Sequence, residues 1–116
     1  MDFIAETIQA YSEVHTEQES ELLKKLNRET NLKVGQPRML SGHLQGRMLS
    51  FLSKLVQPEF ILEIGTYTGY SAICLAEGLK PQGKLITIDP NEETNLFAKK
   101  YFESSPFSKQ IELVKA

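Results

Sequence analysis

The first stretch of the chain carries hydrophobic residues at helical spacing. Over residues 2–14, apolar side chains recur three and four positions apart, namely at Phe3, Ile4, Ile8 and Tyr11. This spacing is typical of an amphipathic helix. A second helix is predicted over residues 16–29, because Thr16 followed three positions later by Glu19 matches a capping box.

The next segment contains a break and then a third helix. Residues 31–38 include a glycine and a proline and are predicted to form a linker. From residue 41 onward, leucines and Met48 fall on one helical face, and Pro58 marks the end of the pattern. The first half of the chain is therefore predicted to be helical.

After Pro58 the hydrophobic period changes. Short apolar runs over residues 60–64, 84–89 and 110–114 predict strands, and helical spacing over 70–79 and 91–103 predicts helices between them. The first run is almost continuously apolar, so we expect that strand to be buried on both faces of a sheet. The alternation predicts an α/β fold: a Rossmann-like, doubly wound parallel sheet, partial at about three strands, with right-handed crossovers and N-terminal helices before it.

Composition narrows the class of protein. The 116 residues carry a net charge of −2, which gives no basic footprint for nucleic acid. No stretch approaches the roughly 20 apolar residues of a membrane span, and the N-terminus lacks a secretory signal. A single cysteine, Cys74, can form no internal disulfide. We expect a cytoplasmic protein.

The candidate chemistry lies where the first strand meets the following helix. Gly65 and Gly69 permit a sharp turn and close approach of a ligand to the backbone, and helix amides after Gly69 favour an anionic group. Ser71 adds a hydroxyl donor. Asp89 ends the second strand, where a carboxylate can accept hydrogen bonds from the two hydroxyls of a ribose. Together with Glu63, these residues predict a site for an adenosine ligand.

The spacing also discriminates among adenosine ligands. A dinucleotide motif needs a glycine where this chain has Tyr67, which disfavours NAD and FAD. A Walker loop needs a lysine where this chain has Tyr70. S-adenosylmethionine, which has no pyrophosphate and a cationic end that Glu63 could balance, fits the residues.

Simpler interpretations stand beside this one. Asp89 could cap the helix that follows Pro90. Met39 could be a filler of the hydrophobic core, and Ser41 could be the N-cap of the third helix. A nucleotide-binding oxidoreductase half-domain and a non-catalytic module that oligomerises through its helices and sheet edge both remain open.

The motif from Glu63 to Ser71 (EIGTYTGYS), followed by residues 85–89 (LITID), resembles motif I and the second-strand acid of the caffeoyl-CoA and catechol O-methyltransferases. This family belongs to the class I enzymes that depend on S-adenosylmethionine. The resemblance covers nearly the whole chain. It implies contacts of the following residues with the cofactor: Met39 and Ser41 from the preceding loop, Glu63, Gly65, Tyr67 and Ser71 around its methionine end, and Asp89 at its ribose.

The resemblance also implies the reaction. The expected activity is in-line methyl transfer to a hydroxyl of a small, aromatic or catechol-like acceptor, helped by a divalent cation such as Mg²⁺. Family metal ligands come from strands after the third, so we assign no metal ligand and no catalytic residue here. A homodimer is expected, without membrane association, while an RNA acceptor stays open.

The end of the chain suggests an incomplete domain. Ala116 follows an apolar strand by two positions, without a further helix. We expect a single, apparently truncated methyltransferase domain, in which residues 1–36 form a helical cap or dimerisation segment and residues 37–116 form the cofactor-binding half. The alternative is a form completed by another chain, and the 116-residue chain alone could be inactive.

Overall fold

The helices and strands alternate as the hydrophobic pattern predicts. The computed structural model describes residues 4–35 and 37–116. The elements in chain order are α1 (Glu6–Val14), α2 (Glu21–Lys33), a 3₁₀ turn (Pro37–Met39), α3 (Gly42–Val56), β1 (Phe60–Ile64), α4 (Tyr70–Ala76), β2 (Lys84–Ile88), α5 (Glu92–Ser104) and β3 (Ile111–Val114). The predicted α/β class with leading helices is confirmed.

The three strands form one parallel sheet in the order β1-β2-β3. In this register Glu63 of β1 lies beside Thr87 of β2, which in turn lies beside Leu113 of β3. Since parallel strands end at the same edge, the loop after β1 and Asp89 after β2 come together there. The sheet topology therefore places the glycine loop and Asp89, both parts of the predicted site, at one edge of the sheet.

The start of α2 differs from the prediction. The helix begins at Glu21, where the side chain of Ser20 accepts a hydrogen bond from the amide of Leu23. Thr16 donates its hydroxyl to the carbonyl of Ser12 in the preceding turn, so it does not cap α2. The helix also extends to Lys33, into the segment predicted as a linker. A hydroxyl that can bond backward to its own preceding turn is not free to cap a helix ahead of it.

The first helix is shorter than predicted. It begins at Glu6, and residues 2 and 3 of the predicted helix, including Phe3, lie outside the described residues. Its apolar residues Ile8 and Tyr11 are exposed, and none of the residues of α1 is buried. The part of the chain that the structure describes does not cover the apolar face of α1.

The prediction that β1 is buried on both faces is wrong. Phe60, Leu62 and Ile64 point to one face of the sheet and are 66–75% exposed. Right-handed crossovers between strands laid down in the order 1-2-3 place both connecting helices on the same side. The helices α4 and α5 consequently cover the face that carries Glu63 and Thr87, and the opposite face of β1 stays bare.

The hydrophobic core lies between the covered face of the sheet and the helices. Its fully packed apolar residues are Leu23, Leu26, Tyr70, Ala72, Ile73, Cys74, Ala76, Leu85, Ala98, Tyr101 and Phe102. At Gly46 on α3 a Cβ atom would lie 2.6 Å from the Tyr70 ring and 2.8 Å from Cys74 Sγ, so glycine permits close packing of α3 on α4. Cys74 is fully buried in this core, and burial raises the pKa of its thiol to about 12.

Candidate functional site

The loop between β1 and α4 has an unusual backbone. Gly65 and Gly69 adopt φ angles of +96° and +94°, and Tyr67 between them adopts +50°. Left-handed conformations are open to glycine and unfavourable for a tyrosine. A Cβ atom on Gly65 would meet nothing within 4 Å, so its missing side chain leaves open space at the carboxyl end of β1.

Asp89 fixes this loop to the end of β2. Its Oδ2 atom accepts hydrogen bonds from the backbone amides of Thr66 at 3.0 Å and Tyr67 at 3.3 Å. Its Oδ1 atom accepts from the amide of Asn91 at 2.9 Å. The carboxylate is thereby held at the same edge as the glycine loop, where it can accept from a ligand hydroxyl as well.

Glu63 ends a short chain of hydroxyl groups. Ser71 Oγ donates to Glu63 Oε2 at 2.5 Å, Thr87 Oγ1 donates to Oε1 at 2.6 Å, and the Thr66 and Thr87 hydroxyl oxygens lie 2.7 Å apart. Burial raises the pKa of Glu63, the hydrogen bonds from Ser71 and Thr87 lower it, and the negative charge of Asp89 raises it; the net pKa lies above its ordinary value. Within residues 4–35 and 37–116, the hydrogen-bond donors of this carboxylate are hydroxyl groups and not cations.

A surface cleft of about 130 Å³ opens beside these groups. Its lining residues are Met39, Leu40, Ser41, Gly65, Thr66, Tyr67, Tyr70 and Ser71. The structure thus brings together Met39, Ser41, Gly65, Tyr67 and Ser71 from the predicted site. Glu63 and Asp89 do not line the cleft but hydrogen-bond to residues that do.

The structure tests the simpler interpretations of three residues. Ser41 occupies the N-cap position of α3, as predicted, although its side chain makes no capping hydrogen bond there. Met39 is 62% exposed, so the interpretation as a core filler is wrong. The N-cap of α5 is Asn91, whose side chain accepts from the amide of Thr94. Asp89 instead holds the glycine loop.

Sequence reasoning missed several residues around the cleft. Leu40, Thr66 and Tyr70 line it, and Thr87 supports Glu63 from the neighbouring strand. The position of Thr87 could have been found by pairing β1 and β2 in parallel register from their apolar residues. The others depend on how the segment before α3 folds over the loop, for which the sequence carries no comparable signal.

Neither a metal centre nor a membrane-spanning helix is present in the described part of the chain. Within residues 4–35 and 37–116, no group of three or more His, Cys, Asp or Glu side chains could hold a metal ion. No helix in this part of the chain is both long and apolar enough to cross a membrane.

A parallel α/β sheet with a glycine turn and a strand-end acid at one edge defines a Rossmann-like cofactor-binding fold. The family model described as O-methyltransferase matches residues 12–116. The chain belongs to this family of S-adenosylmethionine-dependent O-methyltransferases.

Named relatives agree with this assignment. The chain is 33% identical over 79 residues to a catechol O-methyltransferase of Niastella koreensis, an alignment covering 68% of this chain and 36% of the relative. It is 36% identical over 77 residues to a caffeoyl-CoA O-methyltransferase of Stellaria longipes, covering 65% of this chain and 31% of the relative.

A solved structure extends the similarity to the fold. The O-methyltransferase TomG of Streptomyces achromogenes, solved in complex with S-adenosylmethionine, superimposes with a TM-score of 0.84 at 30% identity. The match covers 95% of this chain and 49% of TomG. The chain therefore spans about a third of the curated relatives it matches and half of this solved one.

Proposed function

We propose that this chain is the cofactor-binding half of an O-methyltransferase that transfers a methyl group from S-adenosylmethionine to a hydroxyl of a small, aromatic or catechol-like acceptor. One observation carries the proposal. Glu63 and Asp89 lie on either side of a glycine loop whose open position, Gly65, permits a ligand to approach the backbone. TomG, which shares this fold at 30% identity, was solved with S-adenosylmethionine.

The residues fit this cofactor chemically. Glu63 is a half-buried carboxylate without a cationic hydrogen-bond donor among the described residues, and it suits the positively charged methionine end. Ser71 donates a hydroxyl there, and the bare Gly65 admits the ligand backbone. Asp89 accepts from the ribose hydroxyls, while Met39 and Ser41 cover the cleft from the segment before α3.

The chemistry follows from positioning. When bound, S-adenosylmethionine supplies an electrophilic methyl group on a sulfonium. The residues of this chain hold and orient that group and shield one side of the cleft, which favours in-line attack by an acceptor oxygen. The described residues offer no cluster of metal ligands, so no step is assigned to Mg²⁺. A metal requirement and the acceptor site belong to the complete protein.

The exposed apolar face of β1 bears on the proposed size of the domain. Phe60, Leu62 and Ile64 expose an apolar face on a parallel sheet, a type of sheet that is ordinarily covered on both sides. This supports the proposal that residues 37–116 are half of a larger domain, with residues 1–36 as its cap or dimerisation segment. A cytoplasmic homodimer is the proposed form of the complete enzyme.

A second candidate function rests on the same exposed face. A non-catalytic module would use this apolar surface for association without binding a cofactor. Light scattering measures the oligomeric state of the intact chain and of a variant beginning near residue 33, which lacks both α1 and α2. If oligomeric state and cofactor affinity are both unchanged by the truncation, these helices neither cap the site nor form a dimer contact.

Calorimetric titration tests the cofactor directly. We expect the 116-residue chain to bind S-adenosylmethionine and S-adenosylhomocysteine selectively over NAD. Asp89→Ala should weaken binding by about 1–3 kcal/mol, because buried hydrogen bonds are lost. Glu92→Ala, which removes an exposed acid at the start of α5, is the matched control and should leave affinity unchanged. A folded chain that binds none of these ligands would contradict the proposal.

A further inference from the structure

The cofactor loop holds one residue in an unfavourable conformation. Tyr67 has a φ angle of +50°, although it is not a glycine. A non-glycine residue stays in the left-handed region only where its surroundings fix the chain on several sides. The contacts that fix residues 66–69 are therefore part of the site, whether or not they face the ligand.

The inner side of the loop is fixed by the sheet. Asp89 accepts from the amides of Thr66 and Tyr67, and the hydroxyl of Thr66 lies 2.7 Å from that of Thr87. These contacts hold the half of the loop nearest β1 and β2. They do not reach Thr68, whose side chain is fully buried.

The outer side is fixed by α2. Thr30 is fully buried near the end of this helix, and its Oγ1 atom lies 3.1 Å from Thr68 Oγ1 and 2.7 Å from the carbonyl oxygen of Leu26. A hydroxyl carries one proton and two lone pairs, so Thr30 can donate to the carbonyl and share a hydrogen bond with Thr68. Valine would fill the same volume, hence the hydroxyl contributes polarity and not packing.

The helix itself is a firm support. The Tyr70 hydroxyl donates to Glu19 just before α2, at 2.5 Å, and the Tyr101 hydroxyl donates to Glu29 near its end. Leu23 and Leu26 are fully buried in the core. These contacts join α2 to α4 and α5 at both of its ends, so Thr30 presents its hydroxyl from a fixed position.

We propose that Thr30 is a positioning residue for the cofactor loop, acting through Thr68 to hold Tyr67 in its binding conformation. This inference rests on the proposed function. Thr30 does not line the cleft and its side chain is fully buried, so it acts without touching the ligand. The inference gives α2 a part in ligand binding beyond covering the core.

Two measurements on Thr30→Val test the proposal. The first is calorimetric affinity for S-adenosylhomocysteine, which we expect to fall about tenfold, the equivalent of one lost buried hydrogen bond. The second needs no ligand: the amides of Thr66 and Tyr67 should exchange with solvent about tenfold faster, as measured by NMR, because their bonds to Asp89 open more often. Thr30→Ser keeps the hydroxyl and should restore both values to nearly those of the unmodified protein.

Thr16→Val is the matched control. Its hydroxyl also bonds to the carbonyl four residues earlier but does not contact the loop, so both measurements should stay unchanged. Thr68→Val removes the same hydrogen bond from the loop side and should reproduce Thr30→Val, which covers the case in which Thr30→Val does not fold. Unchanged loop exchange in these variants, or equal losses in Thr30→Ser and Thr30→Val, would overturn the proposal. If the unmodified protein binds no cofactor, the proposed function fails and loop exchange alone decides the role of Thr30.

Discussion

Two half-buried glutamates lie near the ends of neighbouring elements and have opposite electrostatic environments. Glu63, near the end of β1, is surrounded by hydroxyl donors and by Asp89, and its pKa is raised chiefly by burial. Glu77, just after α4, pairs with Arg47 through two hydrogen bonds of 2.9 and 2.7 Å and accepts from Ser50. Burial acts to raise the pKa of Glu77, but the hydrogen bonds from Arg47 and Ser50 and the charge of Arg47 outweigh it and lower the pKa.

The contrast distinguishes a carboxylate with a structural role, Glu77, from a candidate functional carboxylate, Glu63. Glu77 completes an ion pair that joins α3 to α4, with 9% of the Arg47 side chain and 19% of the Glu77 side chain exposed. Among the described residues no cation hydrogen-bonds to Glu63, so burial makes its ionised form less favourable. Perturbed carboxylates that the fold leaves uncompensated tend to mark functional sites, and Glu63 hydrogen-bonds to Ser71, which lines the cleft.

The largest expected effect is at the structural pair. Arg47→Met removes the cation that hydrogen-bonds to the half-buried Glu77 and leaves it with Lys54 at 3.9 Å. The free energy of unfolding, measured by chemical denaturation, should fall by about 3 kcal/mol. The double variant Arg47→Met/Glu77→Leu, which replaces the pair with apolar groups, should recover most of that loss. A reduction below about 1 kcal/mol in the single variant would mean that the pair behaves like a surface ion pair.

Glu63→Gln should lower cofactor affinity and not stability, the opposite of what we expect for Arg47→Met. We expect its affinity for S-adenosylmethionine to fall by about 1.5–3 kcal/mol, because a charged partner is lost, while its free energy of unfolding at neutral pH does not decrease. Titration calorimetry and denaturation on the same samples measure both. A variant that is destabilised yet binds normally would place Glu63 with Glu77 among the structural residues.

Gly46 and Gly65 also contrast a position in the packed core with a position at the cleft. Gly46→Ala places a Cβ atom 2.6 Å from the Tyr70 ring and should destabilise the fold by about 1–3 kcal/mol through overpacking. Gly65→Val meets no protein atom near its Cβ position, but a β-branched residue is strained at φ +96°. It should therefore lower stability through backbone strain and also obstruct the cleft, reducing cofactor affinity. Thermal denaturation and calorimetry compare the two, and normal affinity in Gly65→Val would show that the ligand does not approach this loop.

The smallest expected effect is on pH dependence. The pKa of Glu63 is higher in the folded protein than its ordinary value of 4.5, so ionisation of Glu63 lowers stability as the pH rises from 4.5 to the raised pKa. Over this pH range the unmodified protein should lose stability relative to Glu63→Gln. The lowered pKa of Glu77 means that its contribution is present above 4.5 and lost as the pH falls through the lower, folded value. Parallel pH profiles for Glu63→Gln and Glu77→Gln would contradict this difference in sign.

The hydrophobic pattern was sufficient for the element order, because the helix and strand periods are local properties of the chain. It failed at the start of α2, where Thr16 and Ser20 are both plausible caps and only the path of the chain decides between them. It also failed at the outer face of β1, since an apolar strand does not specify which layers cover it.

For the candidate site, too, some features were predictable from the sequence and others were not. Residue spacing alone predicted Gly65, Ser71 and Asp89 as parts of a site for an adenosine ligand, because strand ends and glycine turns are local features of the sequence. The sequence did not reveal that Asp89 holds the loop amides.

The sequence by itself determined the α/β class, the order of elements and the residues of the cofactor motif. Only the tertiary structure decided that Glu63 is uncompensated while Glu77 is paired, and that Thr30 meets Thr68 across 38 positions of chain. The reason is physical: periodicity and turn chemistry act between near neighbours. The burial and hydrogen-bond partner of a polar group depend instead on which distant segments the fold brings beside it.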